Sequence, residues 1–396
     1  MEIKSNIALK VCLVTILLLV GLTFSGCVGI RTSPQGGSGG VVADGTLFLC
    51  PALKQATGGF GCAAPQTEGK LVAVNTSDGS RLWEVSLEAS RPVGGGGFGC
   101  APATVPVAIY GNPAVAGDLV YVGGYTGRIY AISARTRLSQ DKYVNETSPQ
   151  PVIGGPVVGG DRVYLGCSDG KVYALDAASL EPVWEKPFKT GGKIWSTPVI
   201  DGDTLYIGSF DKKLYAIDTK TGQEKWEFET EGAIISTPLV YENTVYFSSF
   251  DRHLYAVDAT DGTAKWEFEA DKWFWVKPVI CNDTLYAPCL DGRVYILNAE
   301  TGSEVADALD LGSPISSSPV LVNNLIIVAS EEGVVYALDS NTNQEKWKND
   351  DLKGKKEAIY ASLCASNGVV YIYTGKQNLY ALNAESGAKL WSQTIK

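Results

Sequence analysis

Beyond residue 40, apolar residues fall in short runs separated by polar turns, and no stretch combines a helical period with helical length. Runs such as Val172-Tyr173-Ala174-Leu175 and Leu205-Tyr206-Ile207 are apolar on both faces of a strand instead of alternating, the pattern of a sheet covered on each side. The turns carry their own chemistry. Asp169-Gly170 and Asp291-Gly292 suit tight hairpins that need a positive φ. Asp176, Asp218, Asp258 and Asp339 open a further turn, whose left-handed position falls to Gly79, Gly222, Gly262, Gly302 and Gly387. Asn343 takes that position in one unit, and Asn tolerates the conformation. The chain is read as all-β.

The pattern repeats. Tyr130, Tyr173, Tyr215, Tyr255, Tyr295, Tyr336 and Tyr380 are spaced by 43, 42, 40, 40, 41 and 44 residues, with an earlier copy at Leu71–Asn75. Pro113, Pro156, Pro198, Pro238, Pro278 and Pro319 recur in step, with Gly40 and Leu363 at the matching outer positions. A unit near 40 residues, present eight times, signals a propeller or a solenoid. In the fourth unit the expected strands are Ser196–Ile200, Thr204–Gly208, Lys213–Asp218 and Gln223–Glu227. A lone four-stranded sheet with two apolar faces has nothing to cover it. Eight stacked radially bury both faces, and neither terminal unit looks like a polar cap. The spacing therefore predicts an eight-bladed β-propeller of four-stranded antiparallel blades over residues 41–396.

The unit Tyr-Ala-Ile-Asp-Thr-Lys-Thr-Gly-Gln-Glu-Lys-Trp at 215–226, repeated at 255–266 and with substitutions at 173–184, 336–347 and 380–391, resembles the pyrroloquinoline quinone (PQQ) repeat. The resemblance implies that Trp83, Trp184, Trp226, Trp266, Trp347 and Trp391 dock neighbouring blades together. Blade 2 lacks both the Gly and the Trp, and blade 6 has Ala306 in place of Trp, so those two are expected to pack differently. Quinoprotein dehydrogenases of this repeat type hold PQQ and Ca²⁺ under a disulfide of adjacent cysteines, but this chain has no Cys-Cys dipeptide and lacks their long insertions. It is similar instead to the shorter BamB-like propeller lipoproteins of the outer-membrane β-barrel assembly machinery. Fold alone does not carry function across.

The amino terminus reads as an address. Lys4 and Lys10 precede an apolar run from Val11 to Leu22, right for a signal-peptide core and short for a membrane span. Phe24-Ser25-Gly26-Cys27 resembles a bacterial lipobox, so residues 1–27 are expected to be a lipoprotein signal with Cys27 lipidated. Residues 28–40, rich in Gly and Ser, are expected to form a flexible tether. The whole chain has 33 basic and 43 acidic residues, a net charge of −10, and no basic stripe, which excludes a nucleic-acid partner. Its single His excludes His-based metal clusters and triads. No Cys-x-x-Cys and no Ser nucleophile motif or phosphate loop occurs, and no catalytic, cofactor-binding or metal-binding residue is assigned.

Strand parity assigns the loop after the second strand and the link into the next blade to one face of the ring. The enlargements at 51–68 and 86–109 and the links at Lys353–Lys356 and Trp273–Trp275 all fall there. Phe60 and Phe98, in a duplicated Gly-Gly-Phe-Gly-Cys-Ala motif, join Lys193, Trp195, Trp273, Trp275, Lys277 and Tyr360 as the candidate partner-binding face. A core role plugging the channel is the competing reading of the aromatics. Cys62 and Cys100, from the same motif, are the candidate disulfide, with Cys50 a competitor for either. Cys167, Cys289 and Cys364 read as buried thiols.

The expected protein is therefore exported and held on the extracytoplasmic side of a membrane through its lipid anchor only. It is read as a monomeric, non-catalytic scaffold for another envelope protein, engaged through the elaborated face or by β-strand addition at the rim. Two alternatives are a PQQ- and Ca²⁺-dependent dehydrogenase and a small-ligand sensor or carrier using the central channel.

Overall fold

The computed structural model describes residues 38–51, 68–89 and 109–395. Within them, thirty-two strands form eight four-stranded antiparallel sheets, each made of strands consecutive in the chain. The sheets are the blades of a propeller, and the ring closes. The Trp391 indole of blade 8 donates to the Thr76 carbonyl of blade 1 at 3.1 Å, and Tyr371, Leu379, Ala381 and Ile395 pack with Leu47, Leu49, Val72 and Val74.

Blade 4 shows how the repeat becomes a blade. Its strands are Val199–Asp201, Thr204–Gly208, Lys213–Asp218 and Glu224–Glu229. The two central strands are buried almost throughout, as their two-faced apolar runs require. The inner strand starts three residues later than the hydrophobic pattern suggests. Pro198 has no N–H for a ladder, and the Ser196 hydroxyl reaches into the next blade to bond the Ser236 carbonyl at 2.8 Å. The outer pair shifts register between Ala216 and Ile217, and the same shift recurs at Ala256/Val257, Ala337/Leu338 and Ala381/Leu382. This repeated bulge turns each repeat Trp toward the following blade.

What docks blade to blade is a pair of donors on one carbonyl. Tyr164 Oη and Trp184 Nε1 both bond the Thr219 carbonyl, each at 3.0 Å. Tyr206 and Trp226 share the Ala259 carbonyl, and Tyr246 and Trp266 share that of Ala299. Trp347 bonds the Ala384 carbonyl, and Trp83 lies on Phe48 of its own blade at 5.7 Å, against the apolar cluster shared with blade 2. The Trp is thus half of the device, and the second-strand Tyr, which the repeat pattern did not single out, is the other half.

The hairpin Asp also has a second task. Besides bonding the Lys213 N–H, Asp211 accepts the Tyr215 hydroxyl at 2.8 Å, and the pairs Asp169–Tyr173, Asp251–Tyr255 and Asp291–Tyr295 match it. In blade 8, buried Glu357 arrives from the link to do the same work, accepting from Thr374, Asn378 and Tyr380.

The irregular blades have physical causes. Blade 3 ends in a strand of only two residues, Phe188–Lys189, because Pro182 and Pro187 interrupt its outer edge, yet Trp184 still docks. In blade 2, Gln140 stands opposite Ala131 where other blades set the repeat Trp, and its amide donates to the Ala178 carbonyl of blade 3, while the neighbouring Asp141 pairs with Arg128. The facing turn of blade 3 replaces Gly with Leu180, φ 59°, which is 1% exposed and fills the space of the missing indole. In blade 6, Ala306 leaves the same space, and Asn343 of blade 7 enters it to accept the Tyr286 hydroxyl. A short helix, Asp351–Gly354, occupies the link into blade 8.

Candidate functional site

One face of the ring collects the links and the loops after the second strands. Backbone bonds from Phe210 to Lys193, from Phe250 to Ala233 and from Leu290 to Trp273 tie each loop to the link entering its blade. The links are extended and alternate in direction. Ile194, Ile234, Phe274, Ile315 and Ile359 are buried as plugs over the blade cores, and the residue on either side of each points away from the core. The same two-residue period therefore makes Phe274 core and leaves Trp273 and Trp275 half-buried on the face.

The aromatic residues expected on this face are there, but in separate groups. Phe250 is stacked against both Trp273 and Trp275, with centroids 5.3 and 5.7 Å away and rings inclined by 29° and 24°. Trp195 meets Phe210 edge-on at 4.7 Å, with Lys193 exposed beside it. Tyr110 and Tyr125 form a third pair at 5.9 Å. Tyr360 lies near Glu331: burial pushes its hydroxyl up, and the Glu331 charge adds to the shift. Burial likewise pushes the Glu331 carboxyl up, opposed by the Ser316 hydroxyl.

Phe210, Phe250, Tyr110, Tyr125 and Glu331 escaped the sequence reading. A signal existed for the first two, because Ser209-Phe210-Asp211 and Ser249-Phe250-Asp251 repeat in register, with Cys289-Leu290-Asp291 as a variant. Lys277 belongs to a different place. It lines a cavity of the channel wall, inward of Trp275, and burial holds its ammonium below the ordinary lysine value. Phe60, Phe98, Cys62, Cys100 and Cys27 lie outside the described residues.

The described cysteines are free thiols. Burial pushes Cys50, Cys167, Cys289 and Cys364 up to about 12, which makes them poor nucleophiles. His253 is half-buried against Tyr255 in a hairpin, with Nδ1 3.2 Å from the Asp251 carbonyl. Among the described residues no three His, Cys, Asp or Glu side chains come together to hold a metal. The described residues of this face therefore bring together no set of carboxylate ligands such as the Ca²⁺ of a PQQ–Ca²⁺ pair would take.

A family model described as outer membrane protein assembly factor BamB matches residues 63–194 and 181–393. The chain belongs to that family. Its BamB-like, PQQ-repeat character agrees with the Tyr–Trp docking described above. The outer membrane protein assembly factor BamB of Francisella salina is 29% identical over 93 residues, a stretch covering 24% of this chain and 16% of that protein. The chain thus aligns with only about a sixth of that relative's length. The crystal structure of BamB from Moraxella catarrhalis superposes with a TM-score of 0.60 at 18% identity, over 74% of this chain and 91% of that one. The quinohemoprotein alcohol dehydrogenase ADHIIG of Pseudomonas putida HK5 superposes with a TM-score of 0.56 at 15% identity, over 71% and 66%. At these identities the two structures establish the shared propeller and nothing finer.

Proposed function

We propose that this protein is a non-catalytic docking scaffold of the cell envelope, held to a membrane by lipid on Cys27, and that it takes part in outer-membrane protein assembly. The stack of Trp273, Phe250 and Trp275 carries the reading. Three aromatic rings half-exposed on one face form the anchor type that dominates protein interfaces. The family match supports assembly as the setting. The face is preferred over the rim because the outer strands of blades 4 and 5 carry Glu227, Glu229, Glu267 and Glu269, charges that discourage a further strand from adding.

The test is affinity recovery of partners from host envelopes with the lipidated full chain. A double variant, Trp273→Ala with Trp275→Ala, is expected to lose the recovered partner while its unfolding midpoint stays near that of the parent. Unchanged recovery from the folded variant overturns the reading. Separately, Cys27→Ser is expected to move the protein from the membrane fraction to the soluble one.

A further inference from the structure

The inner strands that wall the central channel are aliphatic: Leu239–Tyr241, Val279–Cys281 and Val320–Val322 are representative. Lys277 stands just before one of them. At the matching positions the other blades carry only Gly, Asn, Thr or Ser, with Thr237 and Ser318 on either side of the lysine. Lys277 and Ser318 line a cavity of about 340 Å³ whose remaining wall is mainly Leu239, Val279, Ile280, Val320 and Leu321. That size falls at the lower end of small-molecule sites.

Two observations mark this wall as unfinished. The Lys277 side chain makes no hydrogen bond or ion pair among the described residues, although a half-buried cation ordinarily finds a partner. The Tyr241 hydroxyl of the same wall is already committed to Asp283 at 2.7 Å, which leaves Ser318 as the lining side chain beside Lys277 with a polar head. Leu321 is one of few large apolar residues described as exposed, at 39%, and it faces this cavity. A cation without a counter-charge and an aliphatic wall without cover call for one occupant with both characters.

We propose that the cavity binds a small organic monocarboxylate, its carboxylate on Lys277 Nζ and Ser318 Oγ and its apolar body against Leu239, Val279, Ile280 and Leu321. One cation matches one negative charge; a phosphate dianion ordinarily draws on more donors than this wall supplies. The carboxylate comes from a free aliphatic acid or from the apolar carboxyl terminus of a peptide, and the two share this chemistry.

Calorimetric titration of the full mature chain tests the proposal, with octanoate for the free acid, N-acetylphenylalanine for the chain terminus and octanamide as the neutral isostere. Saturable binding of either acid, with octanamide at least about tenfold weaker, is the expected result, and the acid that binds names the source. Lys277→Met is expected to weaken binding about tenfold or more, and Lys277→Arg to retain it within a few-fold, as the loss and retention of a charged hydrogen bond require. The unfolding midpoint of each variant shows that the ring is intact. Equal binding of acid and amide, an unaffected Lys277→Met variant, or no saturable heat from either acid up to about 10 mM overturns the proposal.

Discussion

Trp226 of blade 4 lies against Gly262 of blade 5 so closely that a Cβ added there would sit 2.6 Å from the indole Cε3. The same contact joins Trp184 to Gly222, Trp266 to Gly302, Trp347 to Gly387 and, across the ring closure, Trp391 to Gly79. The repeat Gly is thus required twice, by its own positive φ and by the ring of the preceding blade. Where the preceding Trp is missing, the Gly is missing too, at Leu180 and Asn343. Blade 2, which follows the blade of Trp83, has Arg137 at the left-handed position, φ 63°, and that substitution has no counterpart elsewhere in the ring.

Gly262→Ala meets both penalties together. It is expected to cost about 2–4 kcal/mol in denaturant unfolding, above what left-handed strain alone produces. A cost under about 1 kcal/mol would show that the indole moves aside freely.

Ala306→Trp alone is expected to destabilise, since Asn343 occupies the space the indole needs. Combined with Asn343→Gly it is expected to recover or exceed the parent's stability, with the new indole N–H reaching the Ser340 carbonyl that Tyr286 already touches at 3.4 Å. A double-mutant cycle should return a favourable coupling of about 1–3 kcal/mol, and additive single effects would refute the steric account.

The all-β class, the eight units and the turn positions were legible because each is written in local pattern: two-faced apolar runs, Asp at the hairpin, Gly or Asn at the left-handed site. The pairing of Trp with the next blade's Gly was not legible, because its two members lie 36 residues apart at Trp226 and Gly262 and meet only after the blades stack. Asn343 takes the left-handed position as expected, φ 56°, and its second task, accepting the Tyr286 hydroxyl, could not be read from the turn pattern. The candidate face was half legible. Trp273 and Trp275 stood out as aromatics in a link on that face, with a core role as the competing reading, but Phe250 reaches them from a loop of the previous blade. Lys277 looked like part of that face because it is two residues from Trp275, and only the closed ring shows that it looks into the channel.

Acid should weaken the ring through its repeat turns. The backbone N–H of Thr221 at 2.8 Å, joined by its hydroxyl at 2.9 Å and by the Lys220 N–H, holds the Asp218 carboxyl below its ordinary value against the opposing effect of burial. Asp176 and Asp258 are lowered in the same way. A lowered carboxyl contributes stability that is fully present above the ordinary value of 3.8 and is lost as pH falls through the folded value. The midpoint of the parent is therefore expected to drop in that acid range, and the Asp218→Asn variant, weaker at neutral pH, to drop less. Parallel curves for the two proteins would remove Asp218 from the account.

Lys277 should show its cost in stability. Burial without a counter-charge lowers its ammonium from the ordinary 10.5, so below the lowered value the folded state holds a cation it would favour leaving in water. Between the lowered value and 10.5 the unfolded chain binds more protons than the folded one, and stability rises with pH across that window. Lys277→Met keeps the length of the stem and removes the charge. It is expected to stabilise the ring by about 0.5–2 kcal/mol at neutral pH, and the advantage should shrink as pH climbs toward 10.5. Thermal unfolding of the two proteins across that range reads it directly. A variant less stable than the parent at neutral pH would mean that the ammonium already has a partner in solution, and the channel wall would then be complete without a ligand.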